Sequence, residues 1–189
     1  VYNQALSAEE AAEYYTDDWS ETTVKTNVAQ NKAAGGTSYK SGDAVDNAER
    51  RINVAFKAFD GDAFTEKEDT TAKPDTSTSE MNSFWKGYHA DSSLCVDLGE
   101  TRTVSEVEIQ WRYGGKGKDF NILVSDDGEN WTTAKEVRGN GDFFNTVSLD
   151  EPTEARYVKM QGIASNASAG IYMIQEFKVY ETVDKTQLN

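Results

Sequence analysis

Apolar and polar residues alternate along several runs of this chain, with the two-residue period of a half-buried strand. In the run 104–111, Val107, Ile109 and Trp111 fall on one face and Glu106, Glu108 and Gln110 on the other. Phe120, Ile122 and Val124 repeat the pattern, as do the runs 156–161 and 175–180. Turn-forming residues stand between them: Gly114-Gly115, Asp126-Asp127-Gly128, Gly139-Asn140-Gly141 and Glu151-Pro152. Short strands parted by such turns predict an all-β chain folded as an antiparallel sandwich or barrel.

The flanks read differently. Ser7-Ala8-Glu9-Glu10 is a capping box, with Ser at the N-cap and Glu three residues on, and predicts a short helix over residues 8–15. Residues 1–23 are read as a linker or the tail of a preceding domain, 24–181 as the β module and 182–189 as a C-terminal linker. Linkers at both ends suggest a module of a longer protein. Within the module, residues 65–82 are almost all polar and have no period. This stretch is expected to be a long surface insertion.

Composition narrows the partners. The 189 residues carry 19 Lys and Arg against 33 Asp and Glu, a formal net charge of −14. A chain this acidic lacks the basic face that nucleic acid or an anionic membrane requires. No apolar run approaches the length of a bilayer-spanning helix, so membrane insertion is not expected. The single cysteine, Cys95, cannot form an internal disulfide, and its apolar neighbours predict a small buried residue rather than a nucleophile. The single histidine, His89, leaves a His-rich zinc site or a Ser-His-Asp triad with little support. Gly-x-Ser-x-Gly, His-Glu-x-x-His and Cys-x-x-Cys are all missing, so the chain is not expected to be an enzyme.

Three constellations carry candidate chemistry. In Lys57-Ala58-Phe59-Asp60-Gly61-Asp62, an Asp-Gly turn can bring carbonyls and a carboxylate onto one hard cation; an ordinary solvated turn explains the same residues. The loop Arg112-Tyr113-Gly114-Gly115-Lys116-Gly117-Lys118 sets three cations beside an aromatic ring. It suits an anionic or hydroxyl-rich ligand, or is simply a soluble hairpin loop. Trp85, Tyr88, Phe143, Phe144 and Tyr172 lie near loops, where a ring can cover the apolar face of a sugar. Trp85 and Trp131 are expected in the core, and of the adjacent Phe143 and Phe144 at least one is expected to be exposed.

Several blocks, in order, resemble the discoidin or factor V/VIII type C superfamily, and within it the family 32 carbohydrate-binding modules of bacterial extracellular glycoside hydrolases. The blocks include Ala58-Phe59-Asp60-Gly61-Asp62, Ser83-Phe84-Trp85, Val96-Asp97-Leu98-Gly99 and Gly117-Lys118-Asp119-Phe120-Asn121-Ile122. They continue with Ser125-Asp126-Asp127-Gly128-Glu129-Asn130-Trp131, Ala155-Arg156-Tyr157-Val158-Lys159 and Ile174-Gln175-Glu176-Phe177. The resemblance covers roughly residues 25–181 and implies a jelly-roll (discoidin-like) β-sandwich of about eight strands. It also implies a structural calcium ion, with Lys57, Asp60, Asp62, Ser83, Gln175 and Glu176 at the ligand positions and Thr65 as an alternative to Ser83.

By the same resemblance the sugar sits in a shallow site on loops at one end of the sandwich. His89 and Arg112 are the counterparts the resemblance offers, and the residues expected to form the site are Arg112, Tyr113, Lys116, Phe143, Phe144 and Tyr172, with His89 in reserve. The Arg-to-Asn loop of galactose-binding members is replaced here by the short, Gly-rich, cationic loop 112–118, which would suit a sulfated or sialylated terminus or a GlcNAc or GalNAc residue. The implied function is a monomeric, non-catalytic glycan-binding module. It would target a catalytic glycoside hydrolase domain of the same parent chain, in a secreted or cell-surface bacterial protein. The rival reading is a protein-interaction or architectural domain of the same fold without a sugar ligand.

Overall fold

The computed structural model describes residues 23–36, 55–64, 69–74, 83–168 and 170–184. The expected helix over 8–15 lies outside them, as do Thr65 and both ends of the insertion. Eight strands follow in order: β1 (Thr23–Asn27), β2 (Ala33–Gly36), β3 (Trp85–Gly87), β4 (Ser93–Trp111), β5 (Gly117–Ser125), β6 (Thr132–Val137), β7 (Phe144–Ser165) and β8 (Tyr172–Asp184). A 3-10 turn, Ala55–Ala58, precedes the Asp60 loop. β8 runs on to Asp184 and pairs with β1 from Thr23↔Asp184 to Asn27↔Tyr180, so residues 182–184, expected in the linker, are sheet.

Every pairing is antiparallel, and hydrogen bonding runs continuously through β1-β8-β4-β7-β5-β6, with β2 added to β4 and β3 to β8. Two long strands fold this sheet over on itself. The first part of β4 pairs with β2 and the end of β7; its second part pairs with β8 and the start of β7. Register breaks between Asp97/Arg102 and Val104/Glu106 mark the corner. The Glu151-Pro152 pair, expected as a turn between strands, lies inside β7 near this corner. Proline fits there because no ladder bond needs its missing N–H. The strand therefore bends rather than ends.

The two layers press their apolar faces together. Leu94, Val96 and Leu98 from the first part of β4 and Val107, Ile109 and Trp111 from the second are all fully buried in one core cluster, with Phe120, Ile122, Val158, Met160, Phe177 and Val179. Trp85 is fully buried, as expected. Trp131 is not: it is half-buried, and the Lys159 ammonium lies 3.6 Å from its ring centroid. The loop 125–130 folds back on itself around the Asp127 carboxylate, which accepts from Ser125, Glu129 and Asn130, and so holds this ring away from the interior. Cys95 alternates with Leu94 and Val96 and is only half-buried; burial still pushes its thiol up to about 11, which keeps it unreactive.

Candidate functional site

One end of the sandwich gathers the loops 88–92, 112–116, 138–143 and 166–171, and backbone hydrogen bonds knit the last three together. Lys116 O accepts from Asn166 N at 2.9 Å, Lys118 O from Asn140 N at 2.8 Å, and Phe143 O from Trp111 N at 2.8 Å. The described part of the insertion, residues 69–74, docks here as well. Asp69 folds it into a turn by accepting from Thr71 N at 3.0 Å, and Thr70 O accepts from Phe143 N at 2.7 Å. The Thr70 hydroxyl donates to Asp142 at 2.9 Å. The polar stretch is thus a built part of the rim at this point, a placement its composition did not signal.

Tyr113 is the exposed ring of this rim, with 60% of its surface open to solvent. The Lys73 ammonium, carried by the insertion, lies 4.1 Å from its centroid. Lys116 reaches over Phe143, 4.2 Å from that centroid, and donates to Gly141 O. Burial lowers the Lys116 pKa, with the Asp142 carboxylate acting the other way. Tyr113 and Lys116 thus share one loop, but their side chains meet different partners, Lys73 and Phe143.

Several expected contacts are corrected. Tyr172 is fully buried: its hydroxyl donates to Ala90 O at 2.8 Å and its ring packs against Trp111 and Gly162. A Cβ on Gly162 would lie 2.5 Å from that ring, so only glycine admits it. Burial also pushes the Tyr172 phenol up to about 12. Phe143 is buried, with Lys116 over its ring, and Phe144 is only half-buried, so neither is the exposed ring expected of the pair. Phe144 instead lines a hollow of about 90 Å³ with Thr70, Glu108, Gln110 and Thr146 on the outside of the sheet. His89 is half-buried on the separate 88–92 turn, its ring Nε2 enclosed without a hydrogen-bond partner.

Arg112 also departs from expectation. Its guanidinium lies 4.3 Å from the Phe84 ring centroid and 5.8 Å from that of Phe64, and it donates to Gln175 Oε1 at 2.8 Å. Gln175 in turn donates to the Asp62 carbonyl. Arg112 is half-buried, burial lowers its pKa, and it holds the Asp60 loop rather than facing outward as a sugar contact.

That loop supplies the second constellation. Lys57 lies on the 3-10 turn leading into it. Gly61 has φ 86°, a left-handed conformation that lets the backbone reverse between the two aspartates. Asp60 Oδ1 accepts from Asp62 N at 3.0 Å, and Oδ2 accepts from the Ser83 hydroxyl. From β8, Glu176 approaches the loop and accepts from Gly61 N at 3.3 Å. Glu176 is 1% exposed. Burial, with the Asp60 carboxylate beside it, pushes its pKa up to about 8. Among the described residues, no three His, Cys, Asp or Glu side chains gather as a metal-binding group. A cation here would rest on two carboxylates, a hydroxyl and backbone carbonyls, an all-oxygen set that suits a hard ion such as calcium.

Comparison with known proteins places this geometry. A search of curated protein sequences returned no match. Among solved structures, chitosan-binding module 1 of a chitosanase/glucanase from Paenibacillus sp. IK-5 superposes with a TM-score of 0.60 at 24% identity, covering 82% of this chain and 98% of that one. The family 32 module of NanJ from C. perfringens, solved with galactose, gives 0.59 at 24%, covering 84% and 100%. A fucose binding module from Streptococcus pneumoniae gives 0.58 at 18%, covering 83% and 96%. These likenesses establish the discoidin-type sandwich, and the proteins they join are binding modules rather than enzymes. A family model described as the F5/8 type C domain matches residues 43–177, and the chain belongs to that family.

Proposed function

We propose that the chain is a non-catalytic carbohydrate-binding module, built to hold an attached secreted glycoside hydrolase close to glycans. The observation that carries this reading is the Tyr113 ring, 60% exposed at the loop end, with the Lys73 ammonium 4.1 Å from its centroid and Lys116 further along the same loop, over Phe143. An exposed ring covers the apolar C–H face of a pyranose, and nearby cationic donors bond its hydroxyls. The neighbours solved with galactose and with GalNAc-β-1,3-galactose support a terminus of the Gal or GalNAc type. Weak affinity at one such site suffices, because tethering makes each further encounter of the attached enzyme intramolecular.

The Asp60 loop is read as a structural calcium site. Lys57, Asp62 and Gln175 would supply carbonyls, Asp60 and Glu176 carboxylates, and Ser83 a hydroxyl. The bound ion would neutralise two carboxylates that otherwise repel each other. The chain's own residues do the rest: Glu176 ties the loop to β8, and Gln175 and Arg112 link it to the start of the rim.

A glycan array tests the function. Wild-type protein is expected to bind a defined set of glycans, and Tyr113→Ala to lose most of that binding while its unfolding temperature stays unchanged. No bound glycan would remove the function; unchanged binding by the variant would move the site elsewhere on the fold.

A further inference from the structure

The hollow on the outer face of the sheet is built from two strands and the insertion. Ile109 turns into the core, so its neighbours Glu108 and Gln110 turn outward. β7 sets Thr146 opposite Glu108 and Phe144 opposite Gln110. Thr70 adds a wall, held in place by its carbonyl, which accepts from Phe143 N at 2.7 Å. The space of about 90 Å³ is several times the roughly 10–15 Å³ that one water needs. Thr70 and Thr146 are exposed, so the mouth opens to solvent. Of the described residues that line it, none belongs to the loop 112–116.

Its polar groups keep bonding capacity that the chain does not use. Gln110 is only 3% exposed, and its Oε1 accepts from Phe64 N at 2.7 Å. The Nε2 amino group of the same amide donates to nothing among the described residues. A buried donor without an acceptor is costly, and a bound group that accepts from it removes the cost. Glu108 takes both the Lys178 ammonium, at 2.9 Å, and the Tyr180 hydroxyl, at 3.0 Å, on Oε2, which leaves Oε1 to accept. The Thr146 hydroxyl has no partner among the described residues.

These groups choose the ligand. An anion would meet the Glu108 carboxylate, and a cation would compete with Lys178, which already neutralises it. A neutral group remains, with hydroxyls that both donate and accept and an apolar C–H face for the Phe144 ring, which describes the edge of a sugar. We propose that this hollow is a second saccharide contact, on the flank of the sandwich. Gln110 donates to the hydroxyls of a neutral sugar, Glu108 and Thr146 bond them from the other side, and Phe144 covers a C–H face. The inference rests on the carbohydrate-binding reading but not on Tyr113. Together with the rim, the hollow lets one module grip a polysaccharide at two points, so that two weak contacts combine as avidity.

The test is an NMR titration of the whole ¹⁵N-labelled chain with galactose and with N-acetylgalactosamine. The side-chain amide of Gln110 and the backbone amides of Phe144 and Thr146 are expected to shift saturably with at least one of them, and to keep doing so in Tyr113→Ala. Thr146→Val suits an exposed strand position and removes only the hydroxyl. It is expected to raise the dissociation constant read at Gln110 about twofold to tenfold, the weight of one hydrogen bond, with an unchanged unfolding temperature. Gln110 signals that neither sugar moves, or that stop moving in Tyr113→Ala, overturn the hollow and leave the rim intact. A dissociation constant that Thr146→Val does not change has the same consequence. A silent glycan array, with spectra silent at rim and hollow alike, overturns both readings.

Discussion

Arg112 Nη1 donates to Gln175 Oε1 at 2.8 Å, and the nitrogen of that amide donates to the Asp62 carbonyl. One fully buried glutamine thus joins the Asp60 loop to the first residue of the rim loop. Arg112→Met keeps a similar stem over Phe84 and Phe64 but leaves the Gln175 oxygen without its donor. An unmet buried acceptor costs about 1–3 kcal/mol. Urea unfolding should register that loss; stability within experimental error of wild type would return Arg112 to the role of a surface ligand contact.

Calcium should stabilise the molecule by mass action. At a hundred times its dissociation constant, an ion that binds only the folded state adds about 2.7 kcal/mol. For a domain of this size that is a rise of about 5–10 °C in unfolding temperature. Chelation should reverse the gain, and Asp60→Asn or Glu176→Gln should abolish it. A melting curve indifferent to millimolar calcium and to chelator would dismiss the ion.

Tyr172→Phe separates a core residue from a binding residue. The variant leaves the Ala90 carbonyl, which accepts the phenol at 2.8 Å, short of a partner inside the protein. A cost of about 1–2 kcal/mol in unfolding free energy is expected, with no direct change in glycan contacts. Measured stability equal to wild type, together with altered glycan binding, would restore Tyr172 to the site.

Asp97 gives the molecule an acid-sensitive element. Arg156 donates to both oxygens of its carboxylate at 2.8 Å, and this pairing lowers its pKa from 3.8 to about 2. A carboxylate held below its unfolded value contributes stability above that value and loses it as the pH falls through the folded one. Its contribution is therefore complete above about pH 4 and disappears on the way down to about pH 2. Asp97→Asn should flatten this part of the stability profile, as followed by denaturant titration at several acidic pH values. An unchanged slope would mean that other carboxylates set it.

The strand runs and the Asp-Gly turn were legible in the sequence because their signal is local. A period of two follows from the strand backbone itself, so Val107, Ile109 and Trp111 announced a buried face before any partner strand was known. The order of the blocks around Asp60, Trp85 and Glu176 likewise identified the family, whose model covers residues 43–177.

Only the tertiary structure decided which loop residues face outward. Tyr113 and Tyr172 are the same residue type beside the same loops, yet one is 60% exposed and the other fully buried. The difference lies in what stands opposite each: Gly162 leaves space for one ring, and solvent meets the other. Arg112 was placed in the same way, by Gln175 and Phe84 from distant parts of the chain. Lys73 sits in a stretch with no period at all, and its approach to Tyr113 depends on Thr70 meeting Phe143 across a gap of more than seventy residues. Local periodicity fixes which face of a strand is buried; the exposure of a loop side chain depends on contacts that close only when the sheets fold together.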